Sequence, residues 1–155
     1  MELQGEVGPG LGRAQIFMAQ PHYQDQFKQI LGRSVWPGTL NLTVRAAHTS
    51  MWSMLRGVAS GQRSTEDATT HPEPIRVRGF VREGVSFGGA TAFLATLHHD
   101  GRSTDVAVLI PDLSRHVDVM EIIAGDFLRE AFHLSDGDEV SIHLIMPDGD
   151  PPTHR

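Results

Sequence analysis

Val106–Ile110 reads VAVLI and Val119–Ala124 reads VMEIIA, two short apolar runs separated by the turn-rich PDLSRHVD. The first, ended by Pro111, reads as a buried strand, and the second as an apolar run. Working outward, Ile75 to Val81 and Ser86 to Leu97 read as further strands on the N-terminal side, and Val140 to Met146 as a last strand on the other. Between the last two, Asp126 to His133 predicts a short helix with Asp126 at the capping position. Leu3 to Val7 and Ala14 to Met18 suggest a hairpin-like unit around the loop Gly8-Pro9-Gly10-Leu11-Gly12. Pro21 opens a helix in which Tyr23, Phe27, Ile30 and Leu31 recur on one face, and Gly32 stops it. Trp36-Pro37-Gly38 is a turn, and Thr39 to Val44 alternates as a strand does. Six or more short strands with only short helices between them predict a mainly β fold, a closed barrel rather than a βαβ sheet.

Residues 1–146 are expected to form one domain, interrupted at 46–74 by a helix around Met51, Trp52, Met54 and Leu55 and a mobile polar loop. The tail, 147–155, is disordered by composition.

Hydrophobic residues make up 39% of the chain and charged residues 21%, the balance of an ordinary globular protein. The formal net charge is −6 and no basic run exceeds two residues, which speaks against nucleic acid or an anionic membrane as partner. Nucleotide binding is compatible with that charge, because backbone N–H groups can hold phosphate. The absence of cysteine excludes disulfides, thiolate catalysis and zinc–thiolate sites. MELQGEVG has neither the basic nor the apolar part of a signal peptide, and no apolar stretch approaches the roughly 20 residues of a membrane span. The expectation is a cytoplasmic protein, with a monomer favoured.

Four groups of residues invite chemistry. The glycine loop lets backbone N–H groups approach an anion, yet it lacks the Gly-Lys-Ser/Thr ending of a P-loop, and a flexible hairpin turn fits it as well. Thr39 and Asn41, two residues apart on a strand, present a hydroxyl and an amide oxygen on one face. Such hard neutral ligands suit Mg²⁺ that takes its charge balance from phosphates; a cross-strand pair facing solvent is the alternative. Glu121 is the single acid within VMEIIA, either turned outward or held to accept a ligand N–H or hydroxyl proton. Asp126, Phe127, Leu128 and Arg129 begin a helix whose free N–H groups suit phosphate or a base edge, or are simply capped. The nine histidines are scattered, and the Ser114, His116, Asp118 alternation lacks a nucleophile elbow.

The order of these segments carries more than any one of them. GEVGPGLGRAQIFM, a helix, PGTLNL, IRVRGFVREGVSFGGATAF, VAVLIPDLSRHVDVMEIIA and FLREAFHLSDGDEVSIHL together resemble the archaeal CTP-dependent riboflavin kinases, from about Gly5 to Leu144. The resemblance implies a six-stranded cradle-loop barrel that transfers the γ-phosphate of CTP to riboflavin, giving FMN. It implies that Gly10, Leu11, Gly12, Arg13, Ala14 and Gln15 wrap the CTP phosphates and that Thr39 and Asn41 hold Mg²⁺. Ser114 and Glu121 match the flavin-binding positions, Glu121 doubling as a candidate base, and Asp126 to Arg129 match a second nucleotide-contacting segment. The family's loop commonly reads GLGEG, where this chain has Arg13 and Ala14, and the segment from Ser114 to Asp118 is one residue shorter than the family's. Two rival expectations share the barrel: a non-catalytic ligand-sensing or DNA-binding regulator, and a kinase for another small alcohol.

Overall fold

The computed structural model describes residues 1–9, 18–61, 71–113 and 117–147. Among the described residues nine strands run in chain order: β1 (Glu2–Val7), β2 (Leu40–Val44), β3 (Ile75–Val77), β4 (Phe80–Arg82), β5 (Val85–Phe87), β6 (Ala90–His99), β7 (Arg102–Pro111), β8 (Val119–Ala124) and β9 (Glu139–Leu144). Three α-helices accompany them: α1 (Pro21–Leu31), α2 (Thr49–Ala59) and α3 (Leu128–Ala131).

Antiparallel pairing runs β6-β7-β8-β2-β1-β9 and returns from β9 to β6. This is the closed six-stranded barrel expected from the sequence, and closure removes the exposed edges that an open sheet would carry. The second half of β6 pairs with β9, which leaves its first half to take β3 as an added strand. Alternation along each strand sets the two faces. Leu42, Val44, Phe93, Leu97, Val106, Val108, Met120, Ile122, Val140 and Ile142 fill the interior. Helix α2 lays Trp52 and Leu55 against that interior, with the Trp52 indole N–H donating to the Val117 carbonyl at 2.7 Å.

A second apolar layer lies outside the barrel. Tyr23 and Phe27 of α1 pack on Ala92, Ala107, Leu109 and Ile123, the outward residues of β6, β7 and β8. The helix ends at Gly32, whose φ of 75° is the left-handed turn that stops it.

Three segments differ from the sequence-based expectation. The strand expected over Ile75–Val81 and the start of that over Ser86–Leu97 are broken into β3, the isolated hairpin β4–β5 and β6. The cause is a tight crossing at the hairpin's root: a Cβ on Gly79 would lie 2.3 Å from the Phe87 carbonyl oxygen, and one on Gly89 2.8 Å from that of Val77. Only glycine fits there, and strand pairing is interrupted on both sides. Strand β7 begins at Arg102, before the expected Val106, because Asp100 and Gly101 both take positive φ and turn β6 directly into it. The last helix spans only Leu128–Ala131, with Phe127 at the N-cap and no side-chain cap. Asp126 instead accepts from Arg33 at 3.4 Å.

Candidate active site

Strands β2 and β8 pair so that Asn41 faces Glu121, and β8 pairs with β7 so that Glu121 faces Leu109. Their neighbours Leu40, Leu42, Met120 and Ile122 point into the barrel. Asn41, Glu121 and Leu109 therefore form one row on the outer face, beside α1.

Asn41 is only 4% exposed, so it is not a solvent-facing residue. Its Oδ1 accepts the Thr39 hydroxyl at 2.9 Å, and its Nδ2 donates to the Pro9 carbonyl at 3.4 Å. The Asn41 carbonyl accepts the Gly8 N–H at 2.9 Å. The glycine loop thus sets out from directly beside Asn41. Gly10 to Gln15 and Ser114 lie outside the described residues.

Two oxygens 2.9 Å apart match the spacing of neighbouring ligands on an octahedral ion with bonds of about 2.1 Å. No three His, Asp or Glu side chains gather as a metal site among the described residues. A cation at Thr39 and Asn41 would therefore take its neutralising charge from a ligand.

Two cavities of unlike character adjoin this row. The larger, about 330 Å³, is walled by Tyr23, Phe27, Phe87, Leu109 and Pro111, with Thr39 and Glu121 at its edge. Burial raises the Glu121 carboxyl above the usual carboxylate range, since no described cation offsets its desolvation. The smaller, about 40 Å³, is lined by Trp36, Gly38, Thr39, Asp126, Phe127, Leu128 and Arg129. Trp36 and Phe127 stack across it with centroids 4.8 Å apart. Thr39 borders both cavities.

Arg129 ties these parts together. Its guanidinium donates to the Gly8 carbonyl and to Asp136 Oδ1, both at 2.7 Å. The side chain thereby holds the base of the loop against the start of α3, and it also lines the smaller cavity. Phe127 and Leu128 reach the small cavity beside it.

Thr39, Asn41, Glu121 and the 126–129 segment thus converge. Sequence reasoning missed the aromatic wall: Tyr23, Phe27 and Phe87 carry only an amphipathic or strand-like signal, which any core residue would give. It also missed Trp36, which reads as part of a turn. Next to Pro111, a lining residue of the larger cavity, Asp112 forms a two-point ion pair with Arg76 of β3, one bond being 2.8 Å. That pair, with the Asp112 N–H donating to the Gly89 carbonyl at 3.0 Å, fixes the chain just before Leu113. No helix among the described residues is long and apolar enough to cross a membrane.

The family described as "Domain of unknown function DUF120", with the short name CTP-dep_RFKase, matches residues 7–144. A riboflavin kinase of Thermofilum pendens is 33% identical over 144 residues, which cover 92% of this chain and 58% of that protein. One from Methanoculleus marisnigri is 32% identical, over 92% of this chain and 56% of that protein. The chain thus spans little more than half the length of these two relatives. It spans 96% of a riboflavin kinase from Sulfurisphaera tokodaii, at 32% identity and 94% of this chain. With a match that runs from the end of β1 to the end of β9, the chain belongs to the CTP-dependent riboflavin kinase family.

Proposed function

We propose that the protein transfers the γ-phosphoryl group of CTP to the 5′-hydroxyl of riboflavin, giving FMN and CDP. The observation that carries this reading is the meeting of two unlike cavities at Thr39. An apolar cavity of about 330 Å³ suits part of a flat tricyclic ring. The smaller cavity, between the Trp36–Phe127 stack and the 126–129 backbone, would take a base edge once that stack parts. The hydroxyl at the end of the ribityl chain and the terminal phosphate of the nucleotide then approach each other at Thr39 and Asn41.

In the reaction the ribityl oxygen forms a bond to the γ-phosphorus as the bond from that phosphorus to the β–γ bridging oxygen breaks. The hydroxyl proton leaves, and CDP departs with the electron pair. Such a transfer rests on positioning and charge neutralisation more than on covalent chemistry. Thr39 and Asn41 would hold Mg²⁺, which when bound neutralises phosphate charge. Asn41 and Arg129 hold Pro9 and Gly8, and the glycine-rich segment that follows them in sequence would offer backbone N–H groups to the phosphates. Glu121 sits at the flavin side of Thr39, where it orients the flavin by accepting a hydrogen bond. The carboxylate is also the nearest group able to take the hydroxyl proton.

This arrangement requires both substrates to bind one molecule together. Riboflavin titrated by its fluorescence should bind in the presence of saturating CDP and Mg²⁺ at least as well as in their absence. Mutual exclusion of riboflavin and CDP would refute the two-cavity site.

A further inference from the structure

Resting on the flavin assignment above, we infer that Tyr23 is a specificity-determining residue of the larger cavity. Its ring forms part of the wall that meets the isoalloxazine, and its hydroxyl latches the β4–β5 hairpin that closes one side. Tyr23 is the chain's only tyrosine and is 8% exposed on the buried face of α1. It lines the cavity together with Phe27, Phe87, Gly88 and Gly89.

The hairpin has no strand pairing with the barrel. Within it Phe80 and Phe87 stack with centroids 4.6 Å apart, and α1 holds it through Tyr23 and His22, whose rings meet Phe80 at 5.4 Å and 4.5 Å. The Tyr23 hydroxyl donates to the Gly88 carbonyl at 2.6 Å, at the root of the hairpin. The polar end of Tyr23 is thus satisfied by the protein, and the ring is what remains for a ligand. Because Gly88 itself lines the cavity, this one bond also sets where that wall stands.

The ring has a spectroscopic consequence. An excited isoalloxazine in van der Waals contact with a phenol or indole loses its fluorescence by accepting an electron, which then returns, so no net chemistry results. A phenyl ring is too poor a donor to do this. Neither tryptophan lines this cavity, since Trp52 packs on the barrel interior and Trp36 borders the smaller one. Tyr23 is therefore the one quencher in place for a flavin bound here.

The test compares riboflavin titrations, bound-state fluorescence lifetimes and CTP affinity for the whole protein and for Tyr23→Phe, which keeps the ring volume. The expected result is strongly quenched bound riboflavin in the native protein and a several-fold brighter complex in the variant. Riboflavin affinity should fall by roughly 3- to 10-fold as one hydrogen bond is lost, with CTP affinity unchanged. Equal quenching in both proteins, or a native complex that is not quenched at all, would overturn the inference and leave the kinase reading standing. So would parallel losses of riboflavin and CTP affinity, which would mark Tyr23 as merely structural. Absence of riboflavin binding by the native protein would instead remove the flavin assignment itself.

Discussion

Asn41 of β2 stands directly across from Glu121 of β8 on the outer face of the barrel. The two belong to adjacent strands far apart in sequence, and the register alone makes them neighbours. One is a neutral amide already bonded to the Thr39 hydroxyl, and the other is a carboxyl whose ionisation is opposed by burial. The metal-and-phosphate role proposed for the first and the flavin-side role proposed for the second build on that difference in charge and surroundings.

The oxygen pair at Thr39 and Asn41 is the first target. Asn41→Ala should lower turnover on the order of 10²-fold or more through lost charge neutralisation. It should also cost about 1–3 kcal/mol of stability, because the buried amide's partners are left unpaired. Thr39→Val, at a less buried position, should raise the Mg²⁺ concentration needed for half-maximal rate. Magnesium titrations of the rate beside thermal melts check both. Full activity of both variants at limiting Mg²⁺ would exclude the ligand role.

Glu121 has a folded-state pKa above its unfolded value. The protonated form therefore stabilises the fold below the unfolded pKa of about 4.3, and that contribution is lost as pH rises through the raised folded value. Glu121→Gln should accordingly melt higher than the native protein at neutral pH, with the difference vanishing below about pH 4. In the orienting role its main functional cost is riboflavin affinity, by about 0.5–3 kcal/mol. Unchanged binding with kcat reduced by roughly 10²–10⁴ would instead identify the general base.

The small cavity, about 40 Å³, has room for little more than a water molecule while Trp36 and Phe127 stack over it. A base entering there must part or slide along that stack. CTP binding should therefore change the fluorescence of half-exposed Trp36, and Trp36→Phe should abolish the change while buried Trp52 still reports the fold. An identical CTP-induced signal in the variant would show that the nucleotide binds elsewhere.

Asp112 behaves oppositely to Glu121. The hydrogen bond from Arg76 holds its carboxyl below the usual range. That contribution is present above the unfolded pKa of about 3.9 and is lost as pH falls through the lowered folded value. Asp112→Asn should lower stability at neutral pH by less than about 1 kcal/mol, since Arg76 is half exposed. The difference should shrink in acid. Because the pair fixes the chain beside Leu113 at the cavity, the riboflavin KM should also rise. Melts at neutral and acidic pH that show the same difference would contradict the ion-pair account.

The barrel was legible because VAVLI and VMEIIA alternate with turn signals, and helix α1 because Tyr23, Phe27, Ile30 and Leu31 share a face. Thr39 and Asn41 were legible as a pair because a strand's two-residue period aligns them. The aromatic cavity was not. Tyr23 and Phe87 are brought together across 64 positions by the hairpin's fold-back onto α1, and no local pattern announces such a contact. The hairpin itself was hidden because the glycines at 79 and 89 act through a backbone crossing, which depends on register. Asp126 looked like a cap because capping residues are recognised by type, whereas here Arg33 lies within reach of its carboxylate. Nor does sequence show that the Arg129 guanidinium bonds Gly8 and Asp136.

The most direct measurement is the initial rate of FMN formation from riboflavin and Mg²⁺ with CTP or ATP as phosphate donor, read with CDP or ADP release. The account predicts equal amounts of FMN and CDP, and a rate with CTP at least about tenfold that with ATP, a difference of about 1.4 kcal/mol in transition-state binding. Equal rates with the two nucleotides would contradict the CTP assignment, and no FMN from either would contradict the kinase itself.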